Sequence, residues 1–234
     1  CITVNNIFTV TRSLETNNLY GWGTSGNNID THLPKNVEWG TIAYLSKSKY
    51  GKETEEIWIN NAGTFTTGCA ANTVSSSQSA TCLNTYETAN GVKASTTGTV
   101  YGIYDIAGGA WEYTSAYVDN GNPDTTTYGS LIMNADSKYK DVYEADVVDT
   151  QENNFALAIN KKGDAVYETS GQILGKYSWY ADYSNIPTGP ESWFVRSGGY
   201  FSKTNAGPFN YIYGIGKTYT TAGFRPVITV ANGL

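Results

Sequence analysis

Histidine is almost missing from this chain: among 234 residues only His32 is one, and methionine is equally scarce. A single histidine argues against most Ser-His-Asp and Cys-His catalytic arrangements and against metal sites built from several imidazoles. Cysteine is sparse too, at 3, and none falls between Arg196 and Arg225. Charged residues make up 15%, well below the roughly one quarter of an average soluble domain. The basic ones are the rarer, 15 against 21 acidic for a net charge of −6, and Lys161-Lys162 is the only adjacent basic pair. Phosphate binding needs clustered Lys and Arg, so no nucleic-acid partner is expected. No apolar run approaches the roughly 18 residues a membrane helix needs, and no signal peptide is visible. The chain starts in mid-flow at Cys1, so membrane or pilus anchoring is expected only through a missing N-terminal segment.

What the chain does have is neutral polarity: Thr, Asn, Ser, 25 Gly and 19 Tyr. Thr and Tyr favour strands, Asn and Gly favour turns, and the profile is that of a secreted surface protein. Hydrophobic residues, at 40%, suffice for one core, and no linker or repeat divides the chain, so 1–234 reads as a single domain. Residues 2–10 read as a strand anchored by Ile7, Phe8 and Val10, and 24–28 as a turn-rich loop. A helix is predicted over 35–49, where apolar residues recur at helical spacing after Pro34 and Gly51 ends the run. Short strands are predicted at 57–60, 113–118 and 193–195, with a closing strand over 224–230 lying beside residues 2–10. The run 100–106 reads as a buried strand or turn, 119–129 as a polar loop, and the acidic stretch 136–152 as a solvated face or a partly exposed helix.

Cys69 and Cys82 frame a polar loop with little apolar material to hold it, so a disulfide is expected there, with an oxidising compartment. Zinc is the rival, but it wants four ligands and the Cys and His residues are scattered. Cys1 is left over, as a lipid-modified terminus, a free thiol or an artefact. The cluster from Asp119 to Asp124 offers oxygens to calcium but lacks the full twelve-residue loop, so a plain turn is the default and no cofactor is expected. Among the acidic residues Asp141, Glu144, Asp146, Asp149 and Glu152, paired carboxylates for glycoside hydrolysis are the weaker reading. His32 reads as a satisfied loop or helix-entry residue, and Glu112 as a structural carboxylate paired with Arg196 or Arg225.

Three landmarks occur in order: VYGIYDIAGGAWEY (100–113), WFVRSGGYF (193–201) and AGFRPVI (222–228), preceded by NVEWGTIAYLSKSKYG in the predicted helix. Together they resemble the formylglycine-generating-enzyme (sulfatase-modifying-factor) branch of the C-type lectin fold. That resemblance implies an α+β, C-type-lectin-like fold, with one or two helices on a twisted, mostly antiparallel sheet and long loops. The enzymes of that family use cysteines after the arginine–glycine–glycine segment, and the absence of Cys from 196–225 removes that chemistry. A thiol enzyme is therefore not expected, and no catalytic residue is assigned.

A narrower resemblance is to variable proteins diversified by retroelements, some of them pilin-linked, which carry a hypervariable segment between such glycine–glycine and glycine–phenylalanine–arginine motifs. It implies ligand binding by 196–225, through Tyr200, Phe201, Lys203, Thr204, Asn205, Asn210, Tyr211, Tyr213, Ile215, Lys217, Tyr219 and Thr220. Of these, Tyr211, Tyr213 and Tyr219 are expected to be exposed, whereas Tyr200, with Phe209 and Phe224, is expected in the core. Tyr, Asn and Ser on a rigid scaffold suit an adaptable recognition surface. The expectation is an adhesin-like domain at the bacterial cell surface that binds an unknown protein or glycan. The alternatives are a structural type IV pilin-like subunit and a degenerate enzyme of the formylglycine-generating type.

Overall fold

The computed structural model describes residues 2–17, 20–21, 29–72, 76–170 and 176–230. Cys1 and the predicted loop 24–28 lie outside the described residues. The fold is α+β, and its elements in chain order are α1 (Val4–Ser13), β1 (Ile29–His32), α2 (Asn36–Ser46), β2 (Trp111–Asp119), α3 (Pro123–Met133), β3 (Asp141–Glu144), α4 (Gln151–Leu157), β4 (Lys176–Tyr177), β5 (Tyr183–Ser184), β6 (Trp193–Arg196), β7 (Tyr211–Gly214), β8 (Ala222–Gly223) and β9 (Val227–Val230).

The main sheet runs β3-β2-β6-β7-β5-β4, with β8 added on β2. It is mixed rather than mostly antiparallel: β2–β3, β2–β8 and β5–β7 are parallel, while β2–β6, β6–β7 and β4–β5 are antiparallel. Successive residues of a strand face opposite sides, so β2 and β6 feed two cores. Ala116, Val118 and Phe194 pack with Phe155 of α4, Val166 and Ile186 on one side. Tyr113, Tyr117, Trp193 and Val195 pack with Val4 and Ile7 of α1 and Ile132 of α3 on the other.

Four α-helices form among the described residues rather than the expected one or two, and two of them fall in stretches predicted to be non-helical. Residues 4–13 form α1, capped by Thr3, whose hydroxyl accepts from the Asn6 N–H. The buried set Val4, Ile7 and Thr11 repeats at helical spacing, whereas Val10, taken as an anchor, is 43% exposed. The closing strand β9 consequently pairs with β1, Ile29 opposite Val230, rather than with residues 2–10. The second stretch, 119–129, contains the start of α3. Asn122 caps it by accepting from the Asp124 N–H, and Pro123 occupies the first turn. The oxygens weighed for calcium thus serve as caps: Asn120 Oδ1 accepts from the Asn122 N–H and from Ser192 Oγ. Gly129 lets α3 approach β6, because a Cβ there would sit 1.8 Å from the Trp193 ring.

The acidic stretch 136–152 is a solvated face only in part, with Asp136, Val147 and Val148 exposed. Tyr139 and Tyr143 are buried, Asp141 accepts from the Val37 N–H at the start of α2, and Asp149 accepts from Gly189 N–H and Asn120. Glu144 and Glu152 do face solvent. Of the run 100–106, Ile106 is buried, but Tyr101 is 93% exposed. Helix α2 forms as predicted, with the Glu38 carboxylate accepting from the Lys35 N–H at its start. No described helix is long and apolar enough to cross a membrane.

The long loop after residue 60 is pinned by the Cys69–Cys82 disulfide, whose Cα atoms lie 5.4 Å apart. Backbone bonds from Ala71 to Ile59 and from Ala70 to Asn84 complete the clamp.

Candidate functional site

The three sequence landmarks and helix α2 meet at one place. Trp39 of α2 is fully buried, donates its indole N–H to the Pro208 carbonyl at 2.8 Å, and lies between two guanidinium groups. Arg196 sits 5.9 Å and Arg225 5.2 Å from its ring centroid. Arg225 grips Glu112 with two bonds, at 2.5 and 2.6 Å, and also donates to the carbonyls of Tyr104 and Asp105. Of the two partners expected for Glu112, Arg225 is the one that pairs. Burial pushes the Glu112 carboxyl up despite the guanidinium, and that carboxylate outweighs burial to hold Arg225 above its ordinary range.

Arg196 faces the same side of the sheet across β2–β6 but ends elsewhere. It donates to the carbonyls of Asp164 (2.7 Å) and Ala165 (3.2 Å), and its Nε has no acceptor. Burial lowers its pKa, and the nearby Asp164 carboxyl, itself bonded by the Tyr143 hydroxyl, opposes that. After Arg196 the chain turns through Ser197 and Gly198, both at positive φ. A Cβ on Gly198 would meet Ala206 at 2.8 Å, so the glycine allows residues 202–210 to fold back against β6.

The folded-back segment displays its side chains unequally. Phe201, Lys203, Thr204, Lys217 and Thr220 are exposed, and Tyr200, Asn205, Tyr213, Ile215 and Tyr219 are half-buried. Tyr200 is therefore not core. It lies edge-on to Phe65 and Phe201, with ring centroids 5.4 and 5.1 Å away. Phe224 is half-buried and Phe209 is fully buried. Two assigned positions depart from a surface role. Tyr211, expected exposed, is 1% exposed because β7 turns it into the core, where its hydroxyl meets Ser170 Oγ at 2.6 Å. Asn210 is buried as well and donates to the Asn205 carbonyl at 2.7 Å, leaving its Oδ1 without a partner.

Two adjoining open cavities of about 230 Å³ each share Trp111, Ile212 and Tyr213 and together make a trough. One lobe adds Tyr183, Asn205 and Asn210; the other adds Tyr113, Glu191, Val195 and Tyr219. Trp111, Tyr113, Tyr183, Glu191 and Val195 fall outside 196–225. Trp111 was visible within its motif as an aromatic residue, but nothing local to Tyr183 or Glu191 marks them. Burial raises the pKa of the Tyr113, Tyr213 and Tyr219 phenols, so they stay neutral donors and acceptors, and it raises the Glu191 carboxyl too.

His32, at the end of β1 and the entry to α2, links Asp30 (3.1 Å) to Glu38 (2.8 Å). Among the described residues no group of three or more His, Cys, Asp and Glu side chains converges to hold a metal ion. No family model matches the chain, and no curated protein is significantly similar to it.

Proposed function

We propose that this chain is an extracytoplasmic ligand-binding domain on a C-type-lectin-like scaffold, of the kind diversified by retroelements, with its recognition surface along the trough. The single observation that carries the reading is the trough itself. Both of its amide side chains, Asn205 and Asn210, and two of its five aromatic ones, Tyr213 and Tyr219, come from residues 202–222, between the buried Arg196 and the carboxylate-paired, partly buried Arg225. Anchors of that kind leave the exposed positions between them free to change without loss of the fold. Tyrosine and asparagine provide large contact area and adaptable hydrogen bonding with few rotors. The disulfide agrees with an oxidising, cell-surface location. The absence of cysteine from 196–225 leaves a formylglycine-type reaction without its thiolate.

The test is to sequence the codons for residues 196–225 across many cells or close isolates. The reading expects substitutions at Phe201, Lys203, Asn205, Tyr213, Lys217 and Tyr219, with Arg196, Gly198, Tyr211 and Arg225 fixed. An invariant segment, or variation concentrated at the buried positions, would overturn it.

A further inference from the structure

Among the polar groups that line the trough, two stand out as acceptors without a donor. Glu191 is the only charged residue lining either lobe, and its carboxylate makes no ion pair and no hydrogen bond among the described residues. In the adjoining lobe, Asn210 Oδ1 is a buried acceptor without a donor. Both are hydrogen-bond acceptors. The same lobe is lined by four aromatic side chains, Trp111, Tyr113, Tyr213 and Tyr219. The Tyr113 ring is fixed, since its hydroxyl accepts from the Gly216 N–H (3.2 Å) and donates to the Lys217 carbonyl (3.3 Å). Lys217, on the exposed turn, holds its Nζ 5.9 Å from the Tyr219 ring centroid and forms no ion pair with Glu191.

We propose that the trough binds an alkylammonium group, as carried by a lysine side chain or a free amine, between Glu191 and the surrounding rings. This deepens the ligand-binding reading and rests on it. The physical grounds are additive. Aromatic faces attract cations, and quaternary ammonium groups are the ligands that aromatic cages recognise best. A partly desolvated carboxylate without a partner is unfavourable, and a bound cation removes that cost. An anion would meet Glu191 as a like charge, and a neutral ligand would desolvate it without compensation. The buried Asn210 acceptor extends the preference to ligands that bring an N–H or O–H donor alongside the cation.

The test is calorimetric titration of the folded domain with choline, butylammonium and Nα-acetyl-lysine amide, against neutral 3,3-dimethylbutan-1-ol and anionic butyrate. The expected result is that choline binds about tenfold or more tightly than its neutral isostere. Glu191→Gln removes that preference, and Tyr219→Leu, which keeps apolar bulk but no ring, weakens it. Circular dichroism confirms that both variants remain folded. Tighter binding of the lysine amide than of butylammonium assigns the group to a partner protein; the reverse assigns it to a free amine. Equal binding of choline and the neutral isostere overturns the proposal. So does a preference that survives Glu191→Gln, or no amine binding up to about 100 mM, weaker than any specific site. Failure of amine binding with varying codons would overturn this proposal alone, whereas invariant codons would overturn the diversification reading and leave the titration to stand by itself.

Discussion

Neighbouring residues of β6 face two regions that treat polar groups in opposite ways. Arg196 points into a buried cluster where the guanidinium groups meet carbonyls or a carboxylate, and where Trp39 lies between them. Val195 points into the trough, where Glu191 and Asn210 Oδ1 are left open. The first region spends its polarity on fixing the chain, and the second holds polarity in reserve. The difference teaches where substitution should be tolerated. A group satisfied by the fold cannot change without stranding its partner, whereas a group the fold does not use can change freely.

The largest expected effect comes from breaking the buried cluster. Glu112→Ala leaves the Arg225 guanidinium buried without its carboxylate, and urea unfolding should show a loss of about 3–5 kcal/mol. Replacing both members, as Glu112→Leu with Arg225→Met, should recover much of it, because two matched apolar groups leave no stranded charge. A double variant as unstable as the single one would mean that the Arg225 bonds to the Tyr104 and Asp105 carbonyls matter more than the ion pair.

Removing the disulfide clamp should come next. Cys69→Ser with Cys82→Ser releases a loop with a sequence separation of 13, and loop-closure entropy puts the loss at about 3 kcal/mol. The trough lies on other elements, so calorimetric choline binding should persist while the melting temperature falls. Loss of both would tie the loop to the trough and erase the contrast between scaffold and site.

A smaller effect is expected at His32. Burial lowers its pKa, but the Glu38 and Asp30 carboxylates more than offset this and raise it above its ordinary 6.5. A histidine raised on folding adds stability that is fully present below the unfolded value and fades as pH rises through the folded one. Chemical denaturation from pH 5 to 9 should therefore show a decline that starts above 6.5 and is absent in His32→Asn. At low pH that variant should be less stable by about 1.5–3 kcal/mol, as for lost hydrogen bonds to charged groups. A flat wild-type profile would mean that the histidine does not bridge the two carboxylates.

How much of this could be read beforehand differs by element. Helix α2, β2 and β6 were legible because their signals are local: apolar recurrence after Pro34, and short apolar runs between turn residues. Helix α1 was not, because its β-branched Val, Ile and Thr mask the stripe Val4, Ile7, Thr11 that tertiary burial selects. Helix α3 was missed although Asn122-Pro123 is a helix-start signal, because the surrounding Asp, Asn and Gly suggest a turn. The Arg225–Glu112 pair was legible from the rule that buried charges need partners, and the Cys69–Cys82 pairing from the lack of apolar support between them. In the trough, Tyr213 and Tyr219 were visible, but Tyr211 could not be told from Tyr213 without the β6–β7 register. Glu191 and Tyr183 reach the trough only through chain packing over long range, which no local pattern records.

The smallest effect on stability, and the sharpest test of the contrast, belongs to Glu191. Burial raises its pKa above the ordinary 4.5, so its carboxylate slightly destabilises the neutral-pH fold. Glu191→Gln keeps the shape and removes the charge, and should leave stability within about 0.5 kcal/mol of wild type, on the favourable side. The sign follows from linkage: a carboxyl whose folded pKa is raised contributes stability below its unfolded value and loses it as pH rises through the folded one. The gap between the two proteins should therefore close as pH falls towards 4.5. Choline affinity of the wild type should fall over the same interval, since the protonated acid no longer attracts the cation. Tyr113, Tyr213 and Tyr219 border this carboxylate, but their raised phenol pKa values keep them neutral over that interval. Destabilisation by several kcal/mol in Glu191→Gln would place this residue with Glu112, as part of the scaffold rather than of the site.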